Sequence, residues 1–422
     1  MKVYPSELTG TVAAPGSKSA AQRMVACALL ARGESVIREF PDSDDCVASL
    51  GIAKALGAII TQKGNTVTIK GGFPDAFRSG IRNPSKEIMC GESGLSSRMF
   101  TPIVALSEEE ITINGHGTLL KRSFADFEKI LPAIGVQCTT NNGLLPVKVK
   151  GPLQGGELEM DGAMSSQFLT GVLTALARAN GPSTVTVHNL TSRPYVDMTI
   201  QILKQFGVEV THEDYRVFHI KPTLYKPQDL VVPGDWSGAA FLLVAGALCA
   251  PQGITITNLS TTISQADAAI LDVLKLAGVS FTTSDDSVTV RESDIHAFEF
   301  DANQCPDLFP PIVALAAFAN GVSTIYGTKR LVHKESNRAK TLQQEFAKAN
   351  IRITLRDDEM KVYPAPIRPA IINSHNDHRI AMAGAVLGLA GDRMTIRGAE
   401  AVAKSFPTFF EVIKQLNAKV SS

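Results

Sequence analysis

Residues 15–37 read PGSKSAAQRMVACALLARGESVI, and their order decides the fold: a glycine-led polar opening, a helix-length run rich in alanine and leucine, a glycine turn, then a short β-type run. The order returns in CGESGLSSRMFTPIVALSEEEITI (90–113), DGAMSSQFLTGVLTALARANGPSTVTV (161–187), VPGDWSGAAFLLVAGALCAPQGITIT (232–257), CPDLFPPIVALAAFANGVSTIYG (305–327) and NDHRIAMAGAVLGLAGDRMTIRG (376–398). Anchored on Ser19, Ser93, Ser166, Ser237, Asp307 and Asp377, the copies lie 74, 73, 71, 70 and 70 residues apart. So regular a period marks an internal sixfold repeat.

Working outward, each copy is followed by a second, amphipathic helix pattern that ends at Gly or Asn before a strand: SLGIAKALGAII, DFEKILPAIGVQC, TIQILKQFGVEV, AILDVLKLAGVSF, LQQEFAKANIRI and FFEVIKQLNAKV. Gly and Asn are the residues that accept the left-handed turn after a helix. Short alternating runs such as TVTIKG, LPVKVKG and SVTVRE supply further strands. The first helix of each copy is apolar nearly all round, which requires burial on every side. Helices therefore lie inside and sheets outside, and six units in two sets of three predict two similar α/β lobes with a cleft between them.

With 422 residues and 44% hydrophobic content, the chain has apolar material for two cores. Lys plus Arg equals Asp plus Glu at 41 each, which argues against a surface for nucleic acid. The cysteines, Cys27, Cys46, Cys90, Cys138, Cys249 and Cys305, form no C-x-x-C pair and read as buried thiols. The opening MKVYPSELTG has no signal or transit pattern, and no apolar run reaches membrane-spanning length. A cytoplasmic monomer without a membrane partner is expected. No G-x-G-x-x-G follows a strand, no phosphate-loop motif occurs and no His/Cys set has zinc spacing, so neither cofactor nor metal is expected.

Chemistry concentrates at the helix entrances. Gly16-Ser17-Lys18-Ser19, continuing to Arg23, converges N–H groups, hydroxyls and two cations at a positive helix end, a device suited to anions. Ser165-Ser166-Gln167 repeats it, and Ser192-Arg193-Pro194-Tyr195 adds a hydroxyl, a guanidinium and a phenol. One serine cluster alone is what helix capping asks for; their recurrence at equivalent positions points to a ligand. Arg98, Asp307, the run with Lys334, Glu335 and Arg338, the pair His378-Arg379, and Lys404 place more charge at apolar entrances. Such charge is costly to bury without a partner. Two explanations fit: a ligand with two or three negative charges, favoured by the excess of cations, or an ion-pair network between lobes in which Asp307 and Glu335 partner the arginines. Asp42, Asp44 and Asp45 read as N-terminal helix charges rather than metal ligands, and Trp236 reads as packing.

At PGSKSAAQR, DGAMSSQF, SRPYVD, KESNR, NDHR and AKSFP, which occur in family order, the chain resembles the EPSP synthase branch of the enolpyruvyl transferase family. The resemblance covers nearly the whole length. It implies two lobes of three βαβαββ units each, an inside-out α/β barrel, with lobe 1 formed by residues 1–16 and 234–422 and lobe 2 by 17–233. It further implies transfer of the enolpyruvyl group of phosphoenolpyruvate to the 5-hydroxyl of shikimate 3-phosphate with release of phosphate, a step of the shikimate pathway toward chorismate and aromatic amino acids. Lys18, Ser19, Arg23, Ser165, Ser166, Gln167, Ser192, Tyr195, Asp307 and Lys334 would surround shikimate 3-phosphate. Lys18, Gly94, Arg98, Arg122, Gln167, Arg338, His378, Arg379 and Lys404 would surround phosphoenolpyruvate. Asp307, Glu335 and Lys18 would move protons. Glu92 and Leu95 stand where the family usually has Asn and Thr, Ser123 replaces the usual Pro, and Arg330 lies where many members place Asn. An extra carboxylate at Glu92 is expected to weaken anion binding and alter inhibitor sensitivity. The alternatives are the UDP-N-acetylglucosamine enolpyruvyl transferase of the same fold, disfavoured because GHGTLLKRS lacks Cys and Ser19 follows Lys18, and a non-enzymatic repeat scaffold such as a nucleic-acid clamp.

Overall fold

A computed structural model describes residues 1–71, 84–332 and 334–422. The chain divides into a continuous unit, Gly16–Val232, and a discontinuous unit, Met1–Pro15 with Pro233–Ser422. The crossings fall at 15/16 and 232/233, where the sequence reading set them at 16/17 and 233/234.

Each unit contains three four-stranded sheets. In the continuous unit Glu87–Met89 runs parallel to Ile111–Asn114, which pairs antiparallel with Leu144–Lys150, and that strand with Gln137–Asn141. The parallel pair requires a crossover, which the helix Gly94–Val104 provides. Glu157–Asp161, Ser183–His188, Val217–Ile220 and Val210–Glu213 repeat the order around the helix Ser166–Leu176. The first sheet takes its leading strand, Asp229–Val231, from the far end of the unit, beside Glu34–Arg38.

In the discontinuous unit, Gly10–Ala13 leads the sheet that continues with Ile254–Thr257, and Lys2–Val3 lies between Met394–Arg397 and Val420–Ser421. Glu299–Asp301, Ser323–Tyr326, Glu359–Tyr363 and Arg352–Arg356 form the remaining sheet. Among the described residues the six sheets stay separate, so each unit is three sheets around helices and not a closed barrel.

Alternation sets which sheet face is covered. In Leu144–Lys150 the residues Leu145, Val147 and Val149 are buried and their neighbours exposed. The crossover helices are enclosed instead: every residue of Gly94–Val104 is buried, as are all of Phe309–Ala316 and Ala20–Leu30 of Lys18–Leu30. Trp236 is 2% exposed and its indole N–H donates to the Ser260 carbonyl at 3.4 Å, so it packs, as read from sequence. Among the described residues no helix is long and apolar enough to cross a membrane.

Candidate active site

Capping accounts for one residue at five of the six entrances. Ser17 accepts from the Ala20 N–H, Ser93 from Ser96, Ser165 from Gln167, Asp235 from Ser237 and Asp377 from Arg379. The neighbours of these caps remain for chemistry, and a serine that accepts can still donate its own proton. The fifth copy differs: a 3-10 turn, Pro306–Leu308, precedes the helix and carries Asp307 in its first turn.

A second regularity brings the predicted residues together. In all six repeats the segment entering the second helix bonds back to the entrance of the first; in the third, the Thr191 hydroxyl reaches the Gly162 and Ala163 carbonyls at 3.2 and 3.3 Å. Asp45 accepts from Lys18 Nζ at 3.0 Å, and the Glu92 carboxylate accepts from the Thr118 N–H at 2.7 Å and hydroxyl at 2.8 Å. Asp267 accepts from the Ser237 hydroxyl, Lys334 and Arg338 donate to Asp307, and Lys404 Nζ donates to the Asn376 carbonyl at 2.7 Å.

In the continuous unit Arg23 is 3% exposed and donates only to neutral groups: the Thr199 hydroxyl at 2.9 Å, the Ser19 carbonyl at 2.8 Å, the Thr170 hydroxyl at 3.4 Å and the Tyr195 carbonyl at 3.3 Å. Burial lowers its pKa to about 10, so it remains a cation at neutral pH. Arg98 donates to Gln167 Oε1 at 2.9 Å and to the Ser123 carbonyl at 3.1 Å, with Phe124 and Phe168 under its guanidinium. Arg122, 6% exposed, packs so closely on Gly94 that a methyl group there would fall on its Nη1. Ser192 sits at φ 56°, a left-handed cap that starts the helix Arg193–Gln205 with Tyr195 in its first turn. Lys18, Arg23, Arg98 and Arg122 are the cations of these entrances; Lys18 pairs with Asp45 at 3.0 Å, and the Asp126 carboxyl lies within electrostatic reach of Arg98.

The discontinuous unit is built differently. Asp307 accepts from Lys334 at 3.1 Å and Arg338 at 2.6 Å and pairs with Arg379 at 3.2 Å. Burial alone would raise its pKa, but Arg379, Lys334 and Arg338 hold the carboxyl well below the usual range. Burial lowers the Lys334 pKa, with Asp307 opposing. Arg338 is fully buried and donates to Asp377 at 2.8 Å, to Asp307 and to Glu335. His378 and Arg379 meet at 2.7 Å. Four cations, Lys334, Arg338, Arg379 and Lys404, thus stand with three carboxylates, Asp307, Glu335 and Asp377, and Arg338 is the hub of an ion-pair network contained within one unit. Asp267 adds a fourth carboxyl, raised to about 6 by burial and by Asp307.

Sequence reading missed Asp377, Asp267 and Thr118 as site residues and took Asp45 for a helix charge. Asp377 had a signal, since it immediately precedes an apolar helix in NDHR. The other three depend on partners 26 to 30 residues away.

The class these features define is an enzyme for small polyanions: buried cations at the helix entrances of one repeat set, and on the other a cluster of buried acids and bases held in ion pairs. The family model for EPSP synthase (3-phosphoshikimate 1-carboxyvinyltransferase) matches residues 3–413. A 3-phosphoshikimate 1-carboxyvinyltransferase of Clostridium kluyveri is 35% identical over 424 residues, covering 100% of this chain and 98% of the relative. That of Aeropyrum pernix is 34% identical over 422 residues, covering 100% and 96%. The EPSP synthase structure from Acinetobacter baumannii superposes with a TM-score of 0.82 at 26% identity, covering 100% and 99% of the two chains. The enolpyruvyl transferase NikO from Streptomyces tendae, at 20% identity and TM-score 0.75, shares the fold. The chain belongs to the EPSP synthase family.

Proposed function

We propose that this protein transfers the enolpyruvyl group of phosphoenolpyruvate to the 5-hydroxyl of shikimate 3-phosphate, releasing inorganic phosphate in aromatic amino-acid biosynthesis. The family match along residues 3–413 carries the reading. The reaction needs no redox change. The hydroxyl oxygen adds to C2 as C3 takes a proton; then C3 gives up a proton, the bond from C2 to the phosphate oxygen breaks, and phosphate leaves.

Ser19, Arg23, Ser165, Ser166, Gln167, Ser192 and Tyr195 hold shikimate 3-phosphate, with Ser165 and Ser166 on its phosphate and Asp307 and Lys334 toward its hydroxyls. Lys18, Arg98, Arg122, Arg379 and Lys404 hold the phosphate and carboxylate of phosphoenolpyruvate, with Gly94, Gln167 and His378 beside them. Fixed guanidinium charges suit both groups and stabilise charge as it develops. Asp307, held ionised, accepts from the 5-hydroxyl. Glu335, in contact with Arg338, serves the C3 proton, and Lys18 the departing phosphate. Arg338 joins the cations that hold phosphoenolpyruvate and also fixes the carboxylates of Asp307 and Glu335. Six cysteines with no disulfide among them support a cytoplasmic location, and the working assembly is a monomer.

The test is phosphate release from phosphoenolpyruvate with shikimate 3-phosphate as acceptor and UDP-N-acetylglucosamine in parallel, with Glu335→Ala as control. Release that requires shikimate 3-phosphate and collapses in the variant is expected. Release with the nucleotide sugar alone, or with neither acceptor, overturns the reading.

A further inference from the structure

Glu92 stands at the entrance of the helix Gly94–Val104, which carries Arg98, where simple electrostatics expects its carboxylate to repel an anion. Its contacts indicate another role. Glu92 Oε2 accepts two hydrogen bonds from one residue, Thr118, through N–H and hydroxyl. Thr118 lies in the 3-10 turn Gly117–Lys121, and the residue that ends this turn is Arg122, whose N–H donates to the Leu119 carbonyl at 3.0 Å. Gly117, at φ 59°, leaves room for the carboxylate: a side chain there would collide with it. Two further contacts fasten the segment to the same helix entrance. The His116 N–H donates to the Gly91 carbonyl at 2.9 Å, and Arg98 donates to the Ser123 carbonyl at 3.1 Å. The guanidinium of Arg122 is then confined by the bare face of Gly94. Hydrogen bonds from a hydroxyl and an N–H to a carboxylate are charge-assisted and directional, so this attachment resists displacement better than two neutral contacts would.

We propose that Glu92 is a positioning residue for phosphoenolpyruvate: through Thr118 it fixes the turn Gly117–Lys121, and so aims Arg122, with Gly94 as the stop. It is this repeat's form of the attachment that Asp45–Lys18 and Asp267–Ser237 make elsewhere. The inference rests on the reading of Arg122 as a phosphoenolpyruvate ligand, and it reverses the expectation that Glu92 weakens anion binding. A misaimed guanidinium loses ground-state and transition-state contacts alike, which raises KM and leaves kcat nearly unchanged.

The experiment varies phosphoenolpyruvate at saturating shikimate 3-phosphate for the wild type and for Glu92→Ala, Glu92→Gln, Thr118→Val and the Glu92→Ala/Thr118→Val double variant. Glu92→Ala should raise KM for phosphoenolpyruvate about tenfold with kcat within about twofold. Glu92→Gln, which keeps the acceptor oxygen, should recover most of the loss, and Thr118→Val should fall between wild type and Glu92→Ala. The double variant should be no worse than Glu92→Ala, because both act through one contact. A lower KM in Glu92→Gln or Glu92→Ala, or losses that multiply in the double variant, overturns the proposal. So does a fall in kcat at constant KM. Thermal melting of each variant with and without phosphoenolpyruvate reads binding apart from turnover. A wild type that melts higher with phosphoenolpyruvate yet releases no phosphate with shikimate 3-phosphate refutes the functional reading while leaving the Glu92 comparison interpretable.

Discussion

Arg338 and Asp267 show what single residues contribute to the buried ion-pair cluster. Removing the Arg338 guanidinium would leave Asp377, Glu335 and Asp307 facing one another, and breaking a buried ion pair from one side costs about 3–5 kcal/mol. Arg338→Met should therefore lower the urea midpoint strongly at pH 7. Arg338→Lys should recover only part, since an ammonium cannot span three carboxylates. The deficit should shrink on acidification, because carboxylates without the arginine take up protons at higher pH. In the wild type the stability tied to Asp307, whose pKa is held down, persists above the ordinary carboxylate range and is lost only as pH falls below it. Asp267 has the opposite sign. Burial and the charge of Asp307, with smaller pressure from Asp235, raise it to about 6 against the opposing pull of Arg379 and the Ser237 hydroxyl. The folded state holds this proton more tightly than the unfolded chain, so the contribution is complete below the unfolded value near 3.8 and is lost as pH rises toward 6. Asp267→Asn keeps an acceptor for Ser237 and removes the charge. Its melting temperature should exceed the wild type's by about 2–6 °C at pH 7.5 and match it at pH 4.5. Little of this was legible in the sequence: Lys334, Glu335 and Arg338 announce charge at an apolar entrance, but which carboxylate meets which cation depends on how repeats pack.

The elements were far more legible, because their signals are local. All six second helices end where the sequence placed a left-handed residue: Gly57, Gly135, Gly207, Gly278, Asn350 and Asn417 have φ of 91°, 78°, 82°, 75°, 74° and 71°. The inner helices are buried as their uniform apolarity required, and their cap residues fall in the polar clusters quoted from sequence. What local signals could not give is the attachment of each second-helix entrance to the first-helix entrance, as in Lys18–Asp45, where partners 27 residues apart must meet. Cap chemistry yields a graded prediction. Gly207→Ala places a Cβ in the left-handed region near only the flexible Lys226 side chain, and should cost about 1 kcal/mol in urea unfolding. Asn417→Gly should be neutral or slightly stabilising, whereas Asn417→Ala should lose stability. Equal loss for Asn417→Gly and Asn417→Ala would mean that the asparagine side chain, not its tolerance of positive φ, is what the site requires.

At the scale of the whole molecule the repeat period was visible in sequence, whereas the permutation came only from the family resemblance, since Lys2–Val3 is a strand of two residues with no pattern to read. That short strand nonetheless holds a central place, flanked on both sides in its sheet. Residues 1–15 are stitched along the discontinuous unit by Tyr4 to Lys419, Ser6 to Leu389, Leu8 to Cys249 and Ala14 to Thr257, and they bury Val3, Leu8 and Val12. Each such side chain is worth on the order of 2 kcal/mol. The continuous unit, by contrast, contains every strand of its three sheets, the leading strand Asp229–Val231 included. Residues 16–232 expressed alone should therefore unfold in one cooperative urea transition. Residues 233–422 alone should not, because one sheet would lack an interior strand and another its leading edge. The Asp235 N–H donates to the Pro15 carbonyl at 2.7 Å, so a linker of a few glycines can join residues 1–15 directly to 234–422. That fusion should regain a sharp transition that 233–422 lacks. If 233–422 unfolds as cooperatively and at the same midpoint as the fusion, the N-terminal strands are an accessory and the unit's core closes without them.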